Sequence, residues 1–274
     1  MKIIKWMIGV LILIIAGSLV SLNLNKKEVM YNSDLENVKK IFVDADISNV
    51  VIVTSDSDLN VQYAGQRSLV GTPDMNIVYD KDQAIIKIRA LQKRWMTVIP
   101  GSTKRGKLLL NIPPRLLEEV QINTKNGNID VKNLSGVNRL KLNSSVGKIN
   151  INSFKGNKLD VEAKNGSINI GSVDAEVNIK NRTGNLNSLE FTDIKGKNTI
   201  RLSNGHVKIT LPSDIEMADL SLKIATKNGK IVSENGKVST DLITNHGAGQ
   251  KLIQPSNRDR ELIISCSVGS IKIK

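Results

Sequence analysis

The stretch TKNGNIDV at residues 124–131 returns almost unchanged at two later points of the chain. It is written AKNGSINI at residues 163–170 and TKNGKIVS at residues 226–233. Self-similarity of this kind is the sequence signature of a repeat architecture, in which one small structural unit is used several times. The stretch therefore indicates a repeat fold, and its Asn-Gly pair is a fixed point for aligning further copies.

A glycine marks the same point in each copy of a longer series. Successive glycines are 20, 19, 18, 21, 24 and 40 residues apart, and the last interval leaves room for one degraded copy near residues 245–249. Asn-Gly suits a corner because Gly adopts positive φ without a Cβ clash, and Asn tolerates positive φ better than most residues. The seven glycines are Gly127, Gly147, Gly166, Gly184, Gly205, Gly229 and Gly269.

Apolar residues alternate with polar ones on both sides of the glycines. Leu159 and Val161, for example, precede the corner at Gly166, and Ile168 follows it. Alternation with a period of two is typical of a strand with one buried face. Each copy is therefore predicted to hold two short strands around a glycine corner. A third apolar point stands seven residues after the glycine in the first four copies, at Leu134, Phe154, Val173 and Phe191.

Two all-β architectures fit this pattern. Two-residue hairpins would also place the apolar residues on one face. A stack of hairpins, however, gives no reason for a steady period with a third apolar point, whereas a three-sided β-solenoid needs both. The pattern favours a β-solenoid of short strands with Gly corners over residues 116–274. Residues 38–115 contain further strand-like segments and are predicted to form an N-terminal β cap region.

The N-terminus indicates a membrane segment. Two lysines precede an uncharged stretch at residues 6–22 that is dominated by Ile, Leu and Val. Its length is close to the roughly 20 residues that cross a bilayer, and the preceding lysines favour a cytoplasmic start. Residues 1–24 are predicted to be a transmembrane signal anchor and residues 25–37 a linker, which places the bulk of this single-pass chain outside the cell membrane. Cleavage at residues 16–18 and secretion is the alternative.

Composition limits the class of partner. Hydrophobic residues make up 40% of the 274 residues, enough for a sizeable core, but aromatic residues make up only 3%. Scarce aromatics argue against base-stacking surfaces, so we predict no nucleic-acid partner. The net charge of +13 suits an anionic partner. Anionic wall polymers, lipid headgroups and other envelope proteins are the candidates outside the cell membrane.

Motifs with a chemical function are incomplete in this sequence. Residues 101–108 have the spacing of a phosphate-binding loop, but Leu replaces the required Ser or Thr. Residues 56–60 begin like a calcium loop, yet the turn glycine is missing. Cys266, the single cysteine, stands in a slot that small residues fill in other copies, which predicts that it faces a crowded interior. His206 follows a corner glycine and is predicted to be solvated. The sequence therefore predicts no catalytic residue, cofactor or metal site.

One outward position is repeatedly basic. The residue two before the glycine is Lys or Arg in four copies and Ser in the other three. On a solenoid these positions would line up as a broken basic stripe along one side, which is a candidate surface for polyanions. A solvated face that prevents wrong strand pairing is the alternative. The predicted stripe consists of Lys125, Lys164, Arg182 and Lys227.

Three features carry a family resemblance. They are IFVDADISNVVIVTSDSDLNVQYAG at residues 41–65, LLLNIPP at residues 108–114, and the serial NGxI corners. With these features the chain, over residues 38–274, resembles a bacterial family of exported β-strand-repeat proteins known as putative adhesins, and in particular its LiaG-like members with an N-terminal membrane anchor. The resemblance implies a solenoid associated with the envelope or its stress response in Gram-positive bacteria. It implies no catalytic residues.

These observations lead to two functional hypotheses. The first is a non-enzymatic, membrane-anchored, adhesin-like module that binds or scaffolds at the cell envelope. The second is a carbohydrate-active β-helix enzyme that acts on envelope polysaccharide, which would need carboxylates converging on one groove. Outward carboxylates of the repeats are Asp130, Asp160 and Glu162, and they are scattered among Asn and Lys residues. The sequence therefore favours the first hypothesis.

Overall fold

The described part of the chain is built almost entirely from β-strands. A computed structural model describes residues 27–56, 58–67, 73–90, 105–114, 117–234, 236, 238–256 and 258–274. Within these ranges the helical segments are single 3-10 turns at Met217–Asp219 and Thr240–Leu242, and none is long or apolar enough to cross a membrane. The predicted anchor at residues 1–24 lies outside the described residues, as do residues 101–104 of the phosphate-loop-like stretch.

Strands follow one another closely along the described residues. Numbered in chain order they are β1 (Lys27–Asp34), β2 (Lys40–Ala45), β3 (Ser48–Thr54), β4 (Asn60–Arg67), β5 (Pro73–Asp80), β6 (Gln83–Ala90), β7 (Gly106–Ile112), β8 (Leu117–Asn126), β9 (Ile129–Leu134), β10 (Val137–Val146), β11 (Ile149–Asn165), β12 (Ile168–Thr183), β13 (Leu186–Phe191), β14 (Lys197–Asn204), β15 (Val207–Ile209), β16 (Leu220–Asn228), β17 (Ile231–Ser233), β18 (Ile243–His246), β19 (Gly249–Gln254), β20 (Arg260–Val268) and β21 (Ile271–Ile273).

Successive repeats pair as parallel strands. Leu140 on β10 lies opposite Val120 on β8 on one side and Leu159 on β11 on the other. Strands after the corner stack in the same way, with β11 between β9 and β12. Strands on the two sides of one corner pair with different partners: β8 pairs with β2 and β10, whereas β9 pairs with β3 and β11. The hairpin alternative is therefore wrong, and the coils stack as in a β-solenoid.

The core is the column of inward residues that the period-two pattern predicts. Ile151, Val161, Ile168 and Ile179 are each at most 2% exposed. The third apolar point is buried as well, at 0–4% exposure, in Leu134, Phe154, Val173 and Phe191. Because each apolar residue stacks on its counterpart in the coils above and below, one continuous hydrophobic core runs the length of the stack.

The order of the coils in space differs from their order in the chain. Strand β20, near the C-terminal end of the described residues, lies between β14 and β16, so that Ile264 faces Ile200 on one side and Ile224 on the other. Strand β21 likewise lies between β15 and β17. The C-terminal coil thus inserts between the coils of Gly205 and Gly229. This is sterically possible because all three coils present the same kind of apolar residue at the same inward position.

The long interval before Gly269 does not contain a degraded coil. Residues near 245–249 instead form the turn of an antiparallel hairpin between β18 and β19. Gly247 at φ 63° and the following alanine make this turn, so the prediction of a further copy is wrong. Strand β19 pairs antiparallel with β16 and ends the parallel ladder at this end of the stack.

The opposite end of the stack is built by the same means. Strands β2 and β3 form a full coil that lies between β6 and β7 on one side and β8 and β9 on the other. Strand β4 covers β7 and strand β5 covers β6, both antiparallel. The parallel ladder thus extends beyond the predicted boundary at residue 116. The predicted linker at residues 25–37 contains β1, which pairs with β4.

The glycine corners stack in direct contact. A Cβ atom on Gly166 would lie 1.8 Å from the carbonyl oxygen of Gly147, and residue 166 has φ +157°. Gly184 stands in the same relation to Gly166, at 2.0 Å. Real Cβ atoms do not approach an oxygen so closely, so only glycine fits. The corner glycine is therefore required by the neighbouring coil as well as by its own φ angle.

Replacing a corner glycine should lower stability by more than the strain of its positive φ angle alone. We expect Gly166→Ala to lower the free energy of unfolding by ~3 kcal/mol or more, because overpacking against a backbone carbonyl adds to the cost of positive φ. Gly247→Ala is the matched control, since it also has positive φ but a Cβ there meets nothing within 4 Å. We expect that control to lose about 1 kcal/mol in urea denaturation. Equal losses in the two variants would contradict the carbonyl contact.

Removal of the inserted coil should unfold the C-terminal end of the stack. Deleting residues 258–274 removes four side chains that are at most 1% exposed, namely Leu262, Ile264, Ile271 and Ile273. Burial of each side chain stabilises the fold by roughly 1.5–3 kcal/mol, and the sum of the four is comparable with the total stability of a domain. We expect hydrogen exchange to show loss of protection in β16 and β19 while β10 to β12 stay protected. Retained protection of β16 would show that it can pair directly with β14.

Candidate functional site

Outward side chains of the strands that precede the glycine corners form the candidate surface. Along such a strand the residues two and four before the glycine point away from the core, because side chains alternate between the two faces. Each of these positions forms a column that crosses the stack from coil to coil. Neighbouring members of a column are about 4.8 Å apart. In spatial order the column two before the glycine reads Lys125, Ser145, Lys164, Arg182, Ser203, Ser267 and Lys227.

The predicted basic stripe is divided by the structure. Lys125 forms an ion pair with Asp46, with 2.6 Å between Nζ and Oδ1. Lys227 is separated from Arg182 by two serine-bearing strands, because the C-terminal coil is inserted between them. Only Lys164 and Arg182 occupy neighbouring strands. All four predicted side chains are exposed, but the structure brings only the central two together.

Two further cations complete a compact group around this central pair. Lys180 and Arg201 stand four before their glycines and lie opposite each other on β12 and β14. The sequence prediction missed them because it followed one outward column and not the adjacent one. Among the described residues, no carboxylate forms an ion pair with any of these cations. We call this group the cationic cluster; it consists of Lys164, Lys180, Arg182 and Arg201.

The cationic cluster lines a shallow groove of about 440 Å³. Its only carboxylate is Glu162, which lies opposite Lys180. Four cations around one carboxylate leave the groove positively charged, and its lining contains no aromatic side chain. The remaining polar lining beyond the cluster is formed by Asn181, Ser203, Ser265 and Ser267. This arrangement suits anionic groups and gives no platform for stacked bases or sugar rings.

A second depression of about 360 Å³ continues the groove toward the N-terminal end of the stack. The two share Glu162 and Lys164. The second depression carries charges of both signs, because Lys125, Lys141 and Asp44 line it. Its neutral part includes the Asn143 amide, which donates to Asn123 Oδ1 at 2.6 Å. Beyond it the Asp46 carboxylate accepts a hydrogen bond from Arg89 at 3.4 Å, in addition to the ion pair with Lys125. The excess of positive charge is therefore greatest at the cationic cluster, in the middle of the groove.

The outward carboxylates do not form a hydrolytic pair. Asp160 is 9% exposed, and its Oδ2 accepts hydrogen bonds from Arg139 Nε and Nη2 at 2.9 and 2.8 Å. The same hydrogen bonding raises the pKa of Arg139 above its usual value. Asp130 Oδ1 accepts a hydrogen bond from Asn150 at 2.7 Å on the other side of the corner. Glu162 alone faces the groove, so these three carboxylates lie in separate environments.

Cys266 and His206 have the positions that the sequence suggests, with one addition. Cys266 is 2% exposed, and its thiol donates a hydrogen bond to Gly205 O at 3.2 Å, which confirms an inward-facing small residue. Burial raises the pKa of this thiol, which disfavours the nucleophilic thiolate. His206 is exposed, and its Nδ1 lies 2.8 Å from Ser270 Oγ, a contact that the sequence did not reveal. No carboxylate among the described residues hydrogen-bonds this ring, so the group that orients a catalytic imidazole is missing there.

Metal-binding groups are also absent from the described part of the chain, where no three His, Cys, Asp or Glu side chains converge. The calcium-loop-like segment at residues 56–60 instead leads into β4, with Leu59 buried at 2% exposure. In the other incomplete motif residues 105–108 are described, and residues 106–108 begin strand β7. The described parts of both segments therefore lead into or form β-strands.

Comparison with known proteins gives one family match. The profile of the family described as Toastrack DUF4097 matches residues 117–274, which is more than half of the chain. No curated protein sequence matches the chain.

Several solved structures align with this chain at low sequence identity and with TM-scores below 0.5. A putative cell adhesion protein from Clostridium sporogenes is 13% identical, with 91% of this chain and 99% of that chain covered and a TM-score of 0.44. A putative adhesin from Bacteroides fragilis is 12% identical, with 90% and 97% covered and a TM-score of 0.42. A putative lipid binding protein from Parabacteroides distasonis is 11% identical, with 90% and 97% covered and a TM-score of 0.43. Similarities of this size carry no information on ligand or activity.

Proposed function

The chain belongs to the Toastrack DUF4097 family, and from this premise we propose that it is a non-enzymatic, adhesin-like module that binds or scaffolds at the cell envelope. Its ligand is an anionic envelope component, either a wall polymer or a lipid headgroup, and other envelope proteins are further candidate partners. Kinship with LiaG-like proteins and a role in the envelope stress response belong to the same proposal. The fold supplies a rigid rod, and the outward columns supply the binding surface.

The cationic cluster is the observation that carries this proposal. Its four side chains come from the three neighbouring strands β11, β12 and β14, so they are held close together by the sheet. Like charges held this close repel one another and cost stability unless an anion is bound between them. Arg and Lys that face solvent without a carboxylate partner are available to such an anion. An anionic ligand is therefore the chemistry that best accounts for the cluster.

Location at the membrane is proposed from the sequence. The apolar residues 6–22 follow two lysines, which favours a cytoplasmic N-terminus and an extracytoplasmic rod. Strand β1 begins at Lys27, so few residues separate this apolar stretch from the first strand of the rod. A single-pass anchor would thus hold the rod near the outer surface of the cell membrane, where anionic wall polymers and headgroups are abundant.

The alternative function, cleavage of envelope polysaccharide, is less well supported by the geometry. Glycoside hydrolysis by the common mechanisms uses two carboxyl groups that flank one bond, about 5–10 Å apart. Asp160 is two residues from Glu162 on the same strand, but it is held in hydrogen bonds by Arg139 and Asn178. A general acid must be free to reach the substrate, and Asp160 is instead engaged by these hydrogen bonds.

Binding of a polyanion should depend steeply on salt and on the cationic cluster. We expect the full chain, held in nanodiscs of zwitterionic phosphatidylcholine, to lose affinity for fluorescent polyphosphate as ionic strength rises from 0.01 to 0.15 M. The Debye screening length shortens from ~30 Å to ~8 Å over that range. Changing all four cluster residues to Ser should weaken binding at low salt at least ~10-fold, since several charge-assisted hydrogen bonds are lost.

A control of equal charge separates the site from the overall charge of the protein. Four exposed lysines after the glycine corners can be changed to Ser for the same loss of positive charge, namely Lys132, Lys148, Lys208 and Lys230. We expect this variant to bind nearly as well as the parent chain. Lys125→Ser should also have little effect, because Asp46 already neutralises that lysine. Equal weakening in both quadruple variants would argue for diffuse attraction and against a site.

Membrane topology can be measured by thiol labelling. Ala248 is exposed in the β18–β19 turn, whereas Cys266 is buried and its thiol pKa is raised. We expect a membrane-impermeant maleimide, added to intact cells, to label Ala248→Cys but neither the parent chain nor Ile3→Cys, because the two N-terminal lysines, which both variants keep, favour the cytoplasmic side. Labelling at position 3 without labelling at position 248 would refute the proposed orientation.

A further inference from the structure

The side chains along the groove change character in a fixed order. The cationic cluster occupies β11, β12 and β14, and on the next strand in space, β20, the same two columns carry Ser265 and Ser267. On the other side of the cluster, β10 and β8 carry Asn143 and Asn123 in one of these columns. Lys141 and Asp44 also line that side, so it carries charges of both signs. The groove is therefore neutral toward β20, cationic in the middle and of mixed charge toward β8.

The length of the cationic part limits how many anionic groups it can hold. Three neighbouring strands span about 10 Å, because each step in a sheet is about 4.8 Å. Such a span holds only a short run of anionic groups. A longer, densely charged chain would place its remaining charges over uncharged serines on one side, and over a part that contains Asp44 and Glu162 on the other, and would gain little from them. The groove is thus matched to a ligand whose anionic groups are spaced by neutral units.

The neutral part beside the cluster is suited to hydroxyl groups. The hydroxyls of Ser203, Ser265 and Ser267 make no hydrogen bond with any other described residue. Each can donate one hydrogen bond and accept others. With no aromatic side chain in the lining, hydrogen bonding is the means by which this part can recognise a neutral unit. A unit rich in hydroxyl groups supplies the matching donors and acceptors.

The two arginines favour a tetrahedral oxyanion. Arg182 and Arg201 lie on neighbouring strands, in adjacent columns of the groove. The planar guanidinium donates two parallel hydrogen bonds and matches the oxygens of a phosphate group. Lys164 and Lys180 add point charges from the same side. A phosphodiester, which carries one negative charge between two neutral substituents, combines this anion with the spacing argued above.

We propose that the groove binds a soluble chain of phosphodiester-linked polyol units that lies along the axis of the stack. One or two phosphates contact the cationic cluster, and the hydroxyl groups of the adjoining polyol contact Ser203, Ser265 and Ser267. This inference rests on the proposed function, because it names the ligand class of the same site. It adds that recognition is by spacing and hydroxyl groups as well as by charge.

Three probes test the ligand class at physiological salt. They are an oligomer of glycerol phosphate, inorganic polyphosphate with the same number of phosphates, and polygalacturonate of similar length as a carboxylate polymer. Calorimetry on the full chain in phosphatidylcholine nanodiscs compares their affinities. We expect the triple variant Ser203→Ala, Ser265→Ala and Ser267→Ala to bind the glycerol phosphate oligomer roughly 10-fold more weakly, as the loss of a few neutral hydrogen bonds implies. Its affinity for polyphosphate should change less than about twofold, because charge dominates there.

A matched triple variant controls for general effects of serine removal. Ser135, Ser172 and Ser188 lie outside the groove lining, and changing them to Ala should leave all three affinities unchanged. The inference is overturned if the groove triple variant binds the glycerol phosphate oligomer as tightly as the parent chain, or if polygalacturonate binds as tightly as that oligomer. Binding to phosphatidylglycerol vesicles without binding to the soluble oligomer would also overturn it in favour of a lipid headgroup. If the cationic cluster variant keeps its affinity for every probe, the proposed function itself fails.

Discussion

The contact between stacked corners governs the rest of this structure. The carbonyl oxygen of each corner glycine points at the next glycine, so closely that a Cβ on Gly205 would lie 2.0 Å from Gly184 O. Without side chains at the corner, the backbones of neighbouring coils come into direct contact. Inward polar side chains three residues earlier use the same carbonyls: Asn181 Nδ2 donates to Gly166 O and Thr226 Oγ1 to Gly269 O, both at 3.0 Å. The corner thus aligns the strands on both of its sides.

Features that depend on local chemistry could be predicted from the sequence. Alternation and the glycine series gave the strands, the corners and the inward column, and burial of Phe154 at 2% exposure agrees with the third apolar point. The order of the coils could not be predicted, because Ile264 meets an isoleucine on either side and the inward residues do not distinguish one neighbour from another. The antiparallel strands at the ends of the stack were not predicted for a related reason. Strand β19 has the composition of a further coil, and only its pairing with β16 shows that it runs in the opposite direction.

The candidate site was predicted in part, and the errors have the same origin. Lys164 and Arg182 were found because consecutive coils are stacked in chain order in that region. Lys125 was misjudged because its partner, Asp46, comes from a coil that is distant in sequence but adjacent in space. Lys227 was misplaced because the inserted coil separates it from the others. Outward residues interact across coils, so their prediction requires a coil order that the repeat pattern does not contain.

The inserted coil connects completion of the fold with formation of the groove. Inward and corner positions are constrained by packing, so only the outward columns are free to vary in charge and hydrogen bonding. Two of the three groove serines, Ser265 and Ser267, belong to β20, which comes later in the chain than every strand of the cationic cluster. The cationic side of the groove comes from earlier coils and can form without it, whereas the hydroxyl side exists only once β20 lies between β14 and β16. Any selectivity beyond charge therefore requires the C-terminal coil to be in place.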